Sequence, residues 1–545
     1  MKITFRFLLR CLLNFGFIKP LLFLILFWPI SKNAVAQQKV SVSGYVKEKG
    51  SGELLPGATV YIPSIKQGTV TNNYGYYSIT IPAGDSVQII FSYVGYQSQV
   101  ITISSGSTAT VNVELPDRVA LQAAEVTASR IDRVSESSRM SMIDIPVQQI
   151  KDLPGLLGEK DVLKVLQLMP GIQRGNEGNS GLFVRGGGAD QNLIILDEAT
   201  VYNAYHLFGF FSLFNGDALK SVELTKGGFP ARYGGRLSSV VDISMKDGNK
   251  EKMHGEGGIG LISTRFTLEG PIKKNKSSYL FSLRRTYIDI LLQPLVLAET
   301  DGEVVSGYYF YDLNAKTNFN IDDKNKLFVS GYFGKDKFYG KDISGDGDFK
   351  YSLGWGNATA TLRWNHLFGA KLFSNLSMIF SDYKFIIKQE EDYSGSTYYM
   401  NYHTGIRDLS LKYDFDYRPS NKHIIKAGMQ STWHYFTPKA YVEKDSEFGT
   451  ETRDIAHINS FENAIYAEDE MHLYEPLRLN AGIRLTQFYS DGENYMNAEP
   501  RLSVAVNVAR LTSVKASYAG MNQYIHQLSN SGIGLPTDLW VPSTD

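Results

Sequence analysis

The run Asn357-Ala358-Thr359-Ala360-Thr361-Leu362-Arg363-Trp364-Asn365 decides the fold, because polar and apolar side chains alternate through all of it. Successive side chains of a β-strand point to opposite faces, so the run predicts a strand with one polar and one apolar face. Similar alternation occurs in Leu313–Ile321, Leu409–Asp416 and Arg501–Val508. A strand crosses a bilayer in about 9–11 residues, and repeated strands of that length favour a transmembrane antiparallel β-barrel over a soluble β-sandwich.

The connections between these strands indicate how the barrel is oriented. Short ones near residues 273–276, 322–325, 368–370 and 418–422 alternate with long ones near 292–306, 340–350 and 439–457. Outer-membrane barrels keep short turns on the periplasmic side and longer loops outside, so the first strand runs outward and the polar end Gln527–Asp545 is expected to be extracellular.

The number of strands predicts an incomplete barrel. We expect about thirteen strands in residues 254–545, against about 22 in a barrel large enough to hold a plug. Open strand edges are not tolerated in lipid. We therefore expect residues 254–545 to be the N-terminal part of a 22-stranded barrel, either in a fragment or in a protein that a second polypeptide completes.

The N-terminus predicts export from the cytoplasm. Basic residues precede the apolar run Leu21–Trp28, and Ala34-Val35-Ala36 offers a cleavage site of small residues, so residues 1–36 read as a signal peptide. The only cysteine, Cys11, lies inside it, which excludes disulfides and thiolate metal sites from the mature chain. Lys and Arg number 55 and Asp and Glu 56, a balance that gives no support for nucleic-acid binding.

Residues 38–116 read as a small β-sandwich of short strands separated by turn signals, such as Lys49-Gly50-Ser51-Gly52 and Asn72-Asn73-Tyr74-Gly75. Together with Leu55-Pro56-Gly57-Ala58-Thr59-Val60 and Ser92-Tyr93-Val94-Gly95-Tyr96, the stretch resembles the carboxypeptidase-regulatory-like domain. The resemblance implies a transthyretin-like sandwich with an accessory role, not peptidase activity.

Residues 146–248 carry a second set of motifs. Glu159–Met169 predicts an amphipathic helix, which Pro170-Gly171 ends. It is followed in order by Leu182–Gly188, Asn192–Glu198, Leu219–Gly228 and Arg232-Tyr233-Gly234-Gly235-Arg236. This order is similar to that of the plug domain of TonB-dependent outer-membrane receptors. The resemblance implies a mixed α+β plug inside the barrel, in a mainly β protein of the Bacteroidetes type that carries the N-terminal domain.

Residues 117–145 are polar and lack clear periodicity, which predicts a linker. Within it, Glu125-Val126-Thr127-Ala128 resembles a TonB box, an extended segment that can add as a strand to the sheet of the TonB protein. The alternative is an ordinary linker strand.

Aromatic residues of the plug are candidate ligand contacts. The segment from Tyr202 to Phe211 is rich in rings, and aromatics stack on sugars, chelators and apolar ligands. In the family this loop rises toward the outside, which implies ligand-binding roles for Tyr202, Tyr205, His206 and Phe208. The alternative is that these side chains pack the plug against the barrel.

Arginines of the plug are candidates for holding it in place. Arg185, Arg232 and Arg236 could pair with acidic barrel residues such as Glu256 or Glu499, and such buried pairs are costly to break on one side only. We treat this as a hypothesis of a plug–barrel lock.

The sequence gives little support for catalysis. His472-Leu473-Tyr474-Glu475 has the HxxE spacing of zinc carboxypeptidases, but Pro476 follows and the segment falls in a predicted turn. We predict no enzyme, no catalytic residues, no metal and no cofactor.

The resemblance implies active import of a scarce ligand, such as a siderophore-type iron chelate, across the outer membrane. The expected partners are TonB with its inner-membrane energising complex, outer-membrane lipid and the ligand, with the N-terminal domain and plug facing the periplasm. Alternatives left open are a glycan or peptide importer that works with a surface lipoprotein, and a non-transporting receptor or adhesin.

Overall fold

The computed structural model describes residues 39–84, 86–104, 108–117, 142–147, 159, 161–174, 181–342, 347–393, 395–474, 476–509, 512–528 and 539–544. The predicted signal peptide and TonB box lie outside the described residues. Within these ranges, no helix has the length and apolar character needed to cross a membrane.

The N-terminal unit is a sandwich of two sheets, as the sequence predicts. Its strands are β1 (Lys39–Glu48), β2 (Thr59–Ile62), β3 (Gln67–Val70), β4 (Tyr76–Pro82), β5 (Ser86–Ser92), β6 (Gln99–Ser104), β7 (Ala109–Thr110) and β8 (Val113–Leu115). One sheet has the order β4-β1-β7, with β8 also paired to β1, and the other has the order β3-β2-β5-β6. Apolar side chains of both sheets meet in one core that includes Val42, Val60, Ile79 and Phe91.

The plug is built around a five-stranded sheet of order β13-β12-β17-β16-β9. Its elements are β9 (Met142–Pro146), α1 (Val162–Leu166), β10 (Ile172–Arg174), β11 (Leu182–Val184), β12 (Asn192–Leu196), β13 (Ala199–Thr200), β14 (Tyr205–His206), β15 (Phe211–Ser212), β16 (Leu219–Lys226) and β17 (Ser239–Met245). Helix α1 is shorter than the predicted Glu159–Met169, because Asp161 caps its start by accepting from the Lys164 amide at 3.0 Å.

Thirteen described strands form one antiparallel sheet in chain order, from β18 to β30. They are β18 (His254–Ile259), β19 (Ser263–Lys273), β20 (Ser277–Thr286), β21 (Val304–Asn320), β22 (Asn325–Asp342), β23 (Gly347–Gly369), β24 (Leu372–Tyr393), β25 (Ser396–Ser420), β26 (His423–Asp445), β27 (Thr450–Tyr474), β28 (Leu477–Ser490), β29 (Glu493–Ala509) and β30 (Thr512–Ala519). Helix α2 (Ile288–Glu299) connects β20 to β21. We call the end at which β18 begins the proximal end, and the other the distal end.

The long loops predicted at residues 340–350 and 439–457 are wrong in extent. Strands β22 and β23 pair out to Asp342 and Phe349, and β26 and β27 pair out to Asp445 and Thr450. A strand of 25 residues, such as β25, is more than twice the ~9–11 that a bilayer requires. The prediction ended these strands at the membrane, whereas the backbone hydrogen-bond ladder continues beyond it.

The C-terminal stretch, predicted from its polar composition to be extracellular, contains two short paired strands. Strands β31 (Ile525–Leu528) and β32 (Leu539–Pro542) pair with each other and lie on the plug. The Trp540 ring packs edge-on against Tyr202, with 5.0 Å between ring centroids, and is 4% exposed. Trp540 is therefore buried against the plug although the stretch around it is polar in composition.

Candidate functional site: the plug–barrel interface

The polar face of Asn357–Asn365, in strand β23, contacts the plug. Asn357 accepts from the Tyr202 amide at 3.3 Å and donates to the Asn203 carbonyl at 2.7 Å. Thr359, Thr361 and Asn365 on the same face are buried, whereas Leu362 and Trp364 on the other face are exposed. The alternation therefore separates a plug-facing surface from the outer surface of the barrel, as the sequence predicts.

A buried histidine of the plug bridges two carboxylates of the barrel. His206 Nδ1 lies 2.6 Å from Asp336 and Nε2 lies 2.8 Å from Asp312, and its ring stacks on Phe310 at a centroid distance of 3.9 Å. Burial opposes protonation, but the two carboxylates outweigh it and raise the pKa of His206 to about 9. At neutral pH the imidazolium therefore donates to both carboxylates at once.

An arginine of the barrel extends this network to the start of the plug. Arg284 contacts Asp312 at 2.6 Å and Glu159 at 3.3 Å, and donates to the Ser212 carbonyl at 2.7 Å. Its side chain is 2% exposed. Two plug acceptors and one barrel carboxylate thus share one guanidinium, a geometry that its fixed donors suit.

A second ionic group lies nearer the proximal end. Lys316 of β21 contacts Asp197 at 2.9 Å and Asp247 at 3.0 Å, and donates to the Met245 carbonyl at 2.8 Å. Burial disfavours ionisation of Asp247, but Lys220 and Lys316 prevail and hold its pKa well below the usual range. The plug is therefore held to the wall by charges that water barely reaches.

The plug backbone at Ala231 and at the start of the motif Arg232–Arg236 contacts charged side chains of the barrel. Arg484 donates to the Ala231 and Arg232 carbonyls at 3.3 and 3.4 Å, and the Ala231 amide donates to Glu468 at 2.8 Å. A Cβ at Gly234 would lie 2.3 Å from Arg484 Nε. Glycine is therefore required here because the Arg484 side chain crosses the plug backbone at this point.

The three arginines of the proposed lock, Arg185, Arg232 and Arg236, have different surroundings in the structure. Arg232 lies 4.0 Å from Asp414, and the guanidinium of the buried Arg236 lies 5.6 Å from the Trp540 ring. Arg185 is exposed, and its amide donates within the plug to the Gly171 carbonyl at 2.9 Å. The lock hypothesis stays a prediction for these residues.

Of the two acidic residues suggested from sequence, Glu499 pairs with residues of its own part of the chain. Glu499 pairs with Arg501 at 2.8 Å and accepts from Asn522. Sequence reasoning missed the main ionic contacts, which involve Asp312, Asp336, Arg284, Glu468 and Arg484. The sequence feature that could have identified them is a charged residue on the polar face of a membrane-spanning strand, because a charge at such a position needs a partner.

The predicted ligand contacts are occupied by protein contacts in this structure. Tyr202 donates to Asp408, Tyr205 belongs to the plug core, and His206 is fully buried between its two carboxylates. The side chain of Phe208 lies outside what the structure describes. Such contacts are what we expect if these side chains pack the plug against the barrel. A ligand-binding role for them stays a prediction.

A small cleft, with a cavity volume of about 80 Å³, lies between the plug and strands β24 to β28. Tyr202, Arg232, Arg236, Asp408, His434 and Glu462 are among its lining residues. Charged groups of both signs line it, so the cleft suits water or a polar ligand rather than an apolar one.

Toward the distal end, aromatic side chains of the barrel form one cluster around the plug residues Tyr202 and Phe211. Buried members include Tyr308, Phe310, Trp355, Tyr383 and Phe385. Among the described residues, no group of three or more His, Cys, Asp or Glu side chains is arranged to hold a metal ion. The rings of this cluster offer stacking, and the Tyr308 hydroxyl and the Trp355 indole nitrogen also donate hydrogen bonds.

Three family descriptions match the chain: a CarboxypepD_reg-like domain over residues 42–127, a TonB-dependent receptor plug domain over 135–241 and a TonB-dependent receptor-like β-barrel over 294–523. TonB-dependent receptor P26 of Formosa agariphila is 30% identical over 220 residues, which are 38% of this chain and 21% of that protein. The vitamin B12 transporter BtuB of Vibrio vulnificus is 23% identical over 231 residues, which are 40% of this chain and 36% of that protein.

Among solved structures, the ferric enterobactin receptor PfeA of Pseudomonas aeruginosa aligns with a TM-score of 0.51 and 16% identity, over 73% of this chain and 63% of that one. This likeness concerns the fold. The matches to the two curated relatives span about a fifth and about a third of their lengths. Because the three domain types follow one another in a chain that folds as a plug held in a β-sheet barrel wall, the protein belongs to the TonB-dependent receptor family.

Proposed function

We propose that this protein imports a scarce ligand across the outer membrane by TonB-driven movement of the plug. The observation that carries the proposal is the ionic plug–barrel interface, in which Arg284, Lys316 and His206 bridge plug and wall. Here the proximal end faces the periplasm and the distal end faces the exterior.

An ionic interface suits a plug that has to open and close. Charge pairs in a buried contact are often no more stabilising than apolar packing, but they specify one arrangement. When such surfaces separate, water solvates both sides, whereas separated apolar surfaces remain unfavourable. The described contacts therefore support a plug that is held in one position and yet can be displaced by a pulling force.

The ligand we propose is a siderophore-type iron chelate or a molecule of similar size with planar groups. The distal aromatic cluster around Trp355 and Tyr383 supports it, because rings stack on flat apolar groups. One curated relative is named a vitamin B12 transporter, and one solved structure of similar fold is named a ferric enterobactin receptor. A glycan or peptide presented by a surface lipoprotein is the alternative.

The energy would enter through the segment Glu125-Val126-Thr127-Ala128, which we propose to be the TonB box. It would pair as an added strand with the sheet of TonB, and the pull would pass along the chain into β9 of the plug. Proline has no backbone N–H, so a proline in this segment could not donate the hydrogen bond that pairing with another strand requires.

The test is uptake of radiolabelled ferric chelates by cells that carry the full-length protein with Val126→Pro, against Val126→Ile as the matched control. We expect the proline variant to bind ligand at the cell surface but not accumulate it, and the isoleucine variant to do both. Uptake at the parental rate by the proline variant would rule out coupling through this segment. Surface binding without uptake by the parent would favour the receptor or adhesin.

A further inference from the structure

Helix α2 presents large apolar side chains to the surroundings. Ile290, Leu291, Leu292, Leu295 and Leu297 are each between 36% and 62% exposed. In a water-soluble loop, a contiguous patch of this kind is unfavourable. The twelve-residue helix is about 18 Å long, too short to span a bilayer.

The helix lies against the outside of the barrel wall. Asp289 at its start pairs with Arg285 at 3.0 Å, and a Cβ at Gly307 would lie 3.0 Å from the Asp289 Cβ. Gly307 belongs to the outward face of β21, since Tyr308 and Phe310, which alternate with it, are buried inside. The missing side chain at Gly307 leaves room for the helix to lie against the strand.

Two observations identify what covers this helix. The outward side chains Phe281 and Leu283 of β20, both exposed, lead directly to it along the chain. Beside it, Tyr309 lies 6.2 Å from Tyr339 and 6.3 Å from Tyr311 between ring centroids on the same outer face. Outward tyrosines at this height are typical of the aromatic girdle where a barrel leaves the membrane.

We propose that helix α2 lies in the plane of the outer leaflet and buries its apolar side chains among lipid acyl chains. The apolar outer surface of the barrel would then continue into helix α2, in the connection between β20 and β21. The helix would set how deeply this side of the barrel sits in the membrane. The inference does not depend on what the protein transports.

The test uses full-length protein with Leu295→Cys labelled with bimane, in vesicles of dioleoylphosphatidylcholine that contain a nitroxide-labelled phospholipid. Quenching should be several-fold stronger than at Phe448→Cys, a loop position, and should approach that at Met378→Cys on the outer wall. Glu299→Cys, at the end of the same helix, should be quenched more by iodide in the water. Iodide quenching at Leu295 equal to that at Phe448 would overturn the proposal, as would protection from both quenchers in a protein that light scattering shows to be dimeric.

The N-terminal sandwich is docked on the proximal end of the barrel. Asn421, in the turn between β25 and β26, accepts from the Thr80 amide and donates to the Thr80 carbonyl, both at 2.7 Å. Arg418 donates to Thr69 at 2.9 Å and to the Val70 carbonyl at 3.0 Å. The barrel rim therefore holds two strands of the sandwich through their backbones.

The turn before β4 reaches past the rim to the plug. The Tyr74 hydroxyl donates to Glu198 of the plug at 2.6 Å, while its ring stacks on Phe373 of the barrel at 5.3 Å. The Tyr76 ring also stacks on Phe373, with 5.3 Å between ring centroids, and the Tyr76 hydroxyl donates to the Ala370 carbonyl at 2.9 Å. Tyr74 thus fills the gap between plug and wall.

A second contact joins the sandwich to the end of the plug. Glu53 accepts from the Asp247 amide at 3.0 Å, and the Lys250 amide donates to the Ser51 carbonyl at 2.8 Å. Glu53 also lies 3.8 Å from Lys220. The plug is therefore contacted at one end of its sheet, near Glu198 after β12 and at Asp247 after the neighbouring β17.

We infer that the N-terminal sandwich is a latch, which holds the plug from the proximal side and must leave before the plug can open. This rests on the proposed import function. The 24 residues between Asp117 and Met142, which include the proposed TonB box, join the latch directly to the plug. A pull on this tether would therefore act on both bodies.

The test joins Gln67→Cys to Asn421→Cys with a reducible bismaleimide in the full-length protein, since these side chains lie 2.5 Å apart. The control pair is Gln88→Cys with Thr102→Cys, two exposed residues that lie opposite each other on neighbouring strands of the sandwich, and it leaves the docking contacts unchanged. We expect uptake to fall by about ten-fold or more in the cross-linked pair and to recover on reduction, with ligand binding unchanged. The control should transport as the parent does.

Two outcomes separate this inference from the import function. If the parent takes up ligand and the cross-linked pair does so at the same rate, the latch is wrong although import stands. If the parent takes up no ligand, import fails, and the latch is then decided on purified protein. The cross-link must raise the urea concentration that releases a fluorophore-labelled plug, and an unchanged midpoint overturns the latch.

Discussion

Replacing Lys316 by methionine tests whether the ionic plug–barrel interface holds the plug. Methionine keeps most of the length of the side chain and removes the ammonium that lies 2.9 Å from Asp197 and 3.0 Å from Asp247. Both carboxylates are nearly inaccessible to water, at 3% and 2% exposed. The substitution therefore leaves buried negative charge with less compensation.

The expected cost follows from what remains around each carboxylate. Removing one partner of a buried ion pair costs about 3–5 kcal/mol. Asp247 keeps Lys220 at 3.2 Å, and Asp197 still accepts from the Met245 amide at 2.9 Å. These contacts place the loss at the lower end, about 3 kcal/mol.

The assay is urea unfolding of the plug in full-length protein, followed by a fluorophore on Leu168→Cys, an exposed plug position. With a slope of about 1–1.5 kcal/mol per molar for a unit of this size, the midpoint should fall by about 2–3 M. Lys444→Met is the matched control, because its pair with Glu451 is more than half exposed and is worth less than about 1 kcal/mol. Equal midpoints for Lys316→Met and the control would refute the reasoning.

Three further predictions address single contacts. Because the pKa of His206 is raised to about 9, its protonation stabilises the plug fully below its ordinary value of 6.5 and is lost as pH rises through 9, so the urea midpoint should fall over that window in the parent but not in His206→Gln. Gly234→Ala should destabilise the plug by about 1–3 kcal/mol through its clash with Arg484, whereas Gly216→Ala, with no atom within 4 Å of its new Cβ, should cost less; similar midpoints would contradict this. Tyr202→Phe removes the hydrogen bond to Asp408 and should cost about 1–3 kcal/mol of plug stability while leaving the Trp540 ring contact, so a larger loss on Tyr202→Phe than on Tyr202→Ala would be inconsistent with it.

The periodic part of the fold follows directly from the sequence. The alternation at Asn357–Asn365 predicts both faces of β23, because the period of a strand is fixed by backbone geometry. Two of the plug motifs, Asn192–Glu198 and Leu219–Gly228, coincide with β12 and β16. Helix α2 was missed, since an apolar run with Pro294 inside it and no N-terminal cap signal reads as a loop.

The partners of the buried charges could not be predicted in the same way. Lys316 was assigned to the polar face of its strand, but the sequence does not give the rotation of the plug inside the barrel. Asp197 and Asp247 are 50 residues apart in sequence and meet at one ammonium only because β12 and β17 are neighbours in the plug sheet. The arginines singled out from sequence were prominent because of their motif, whereas the arginine most fully paired across the interface, Arg284, lies in an ordinary strand.

The distribution of contacts has a consequence for how force would open the molecule. The ionic contacts at His206 and Arg284 lie toward the distal end, whereas the sandwich, which precedes the proposed TonB box in the chain, contacts the plug at the proximal end through Tyr74 and Glu198. A pull applied there loads the proximal contacts first, because a rigid contact near the point of force yields before those beyond it. The sandwich and the Lys316 group would therefore separate before the His206 bridge, which would keep the distal side closed while the proximal side opens. Weakening His206 should then raise leakage from outside without ligand, whereas weakening Tyr74 should lower the force needed for import without leakage, and leakage in both variants would show that the two ends open together.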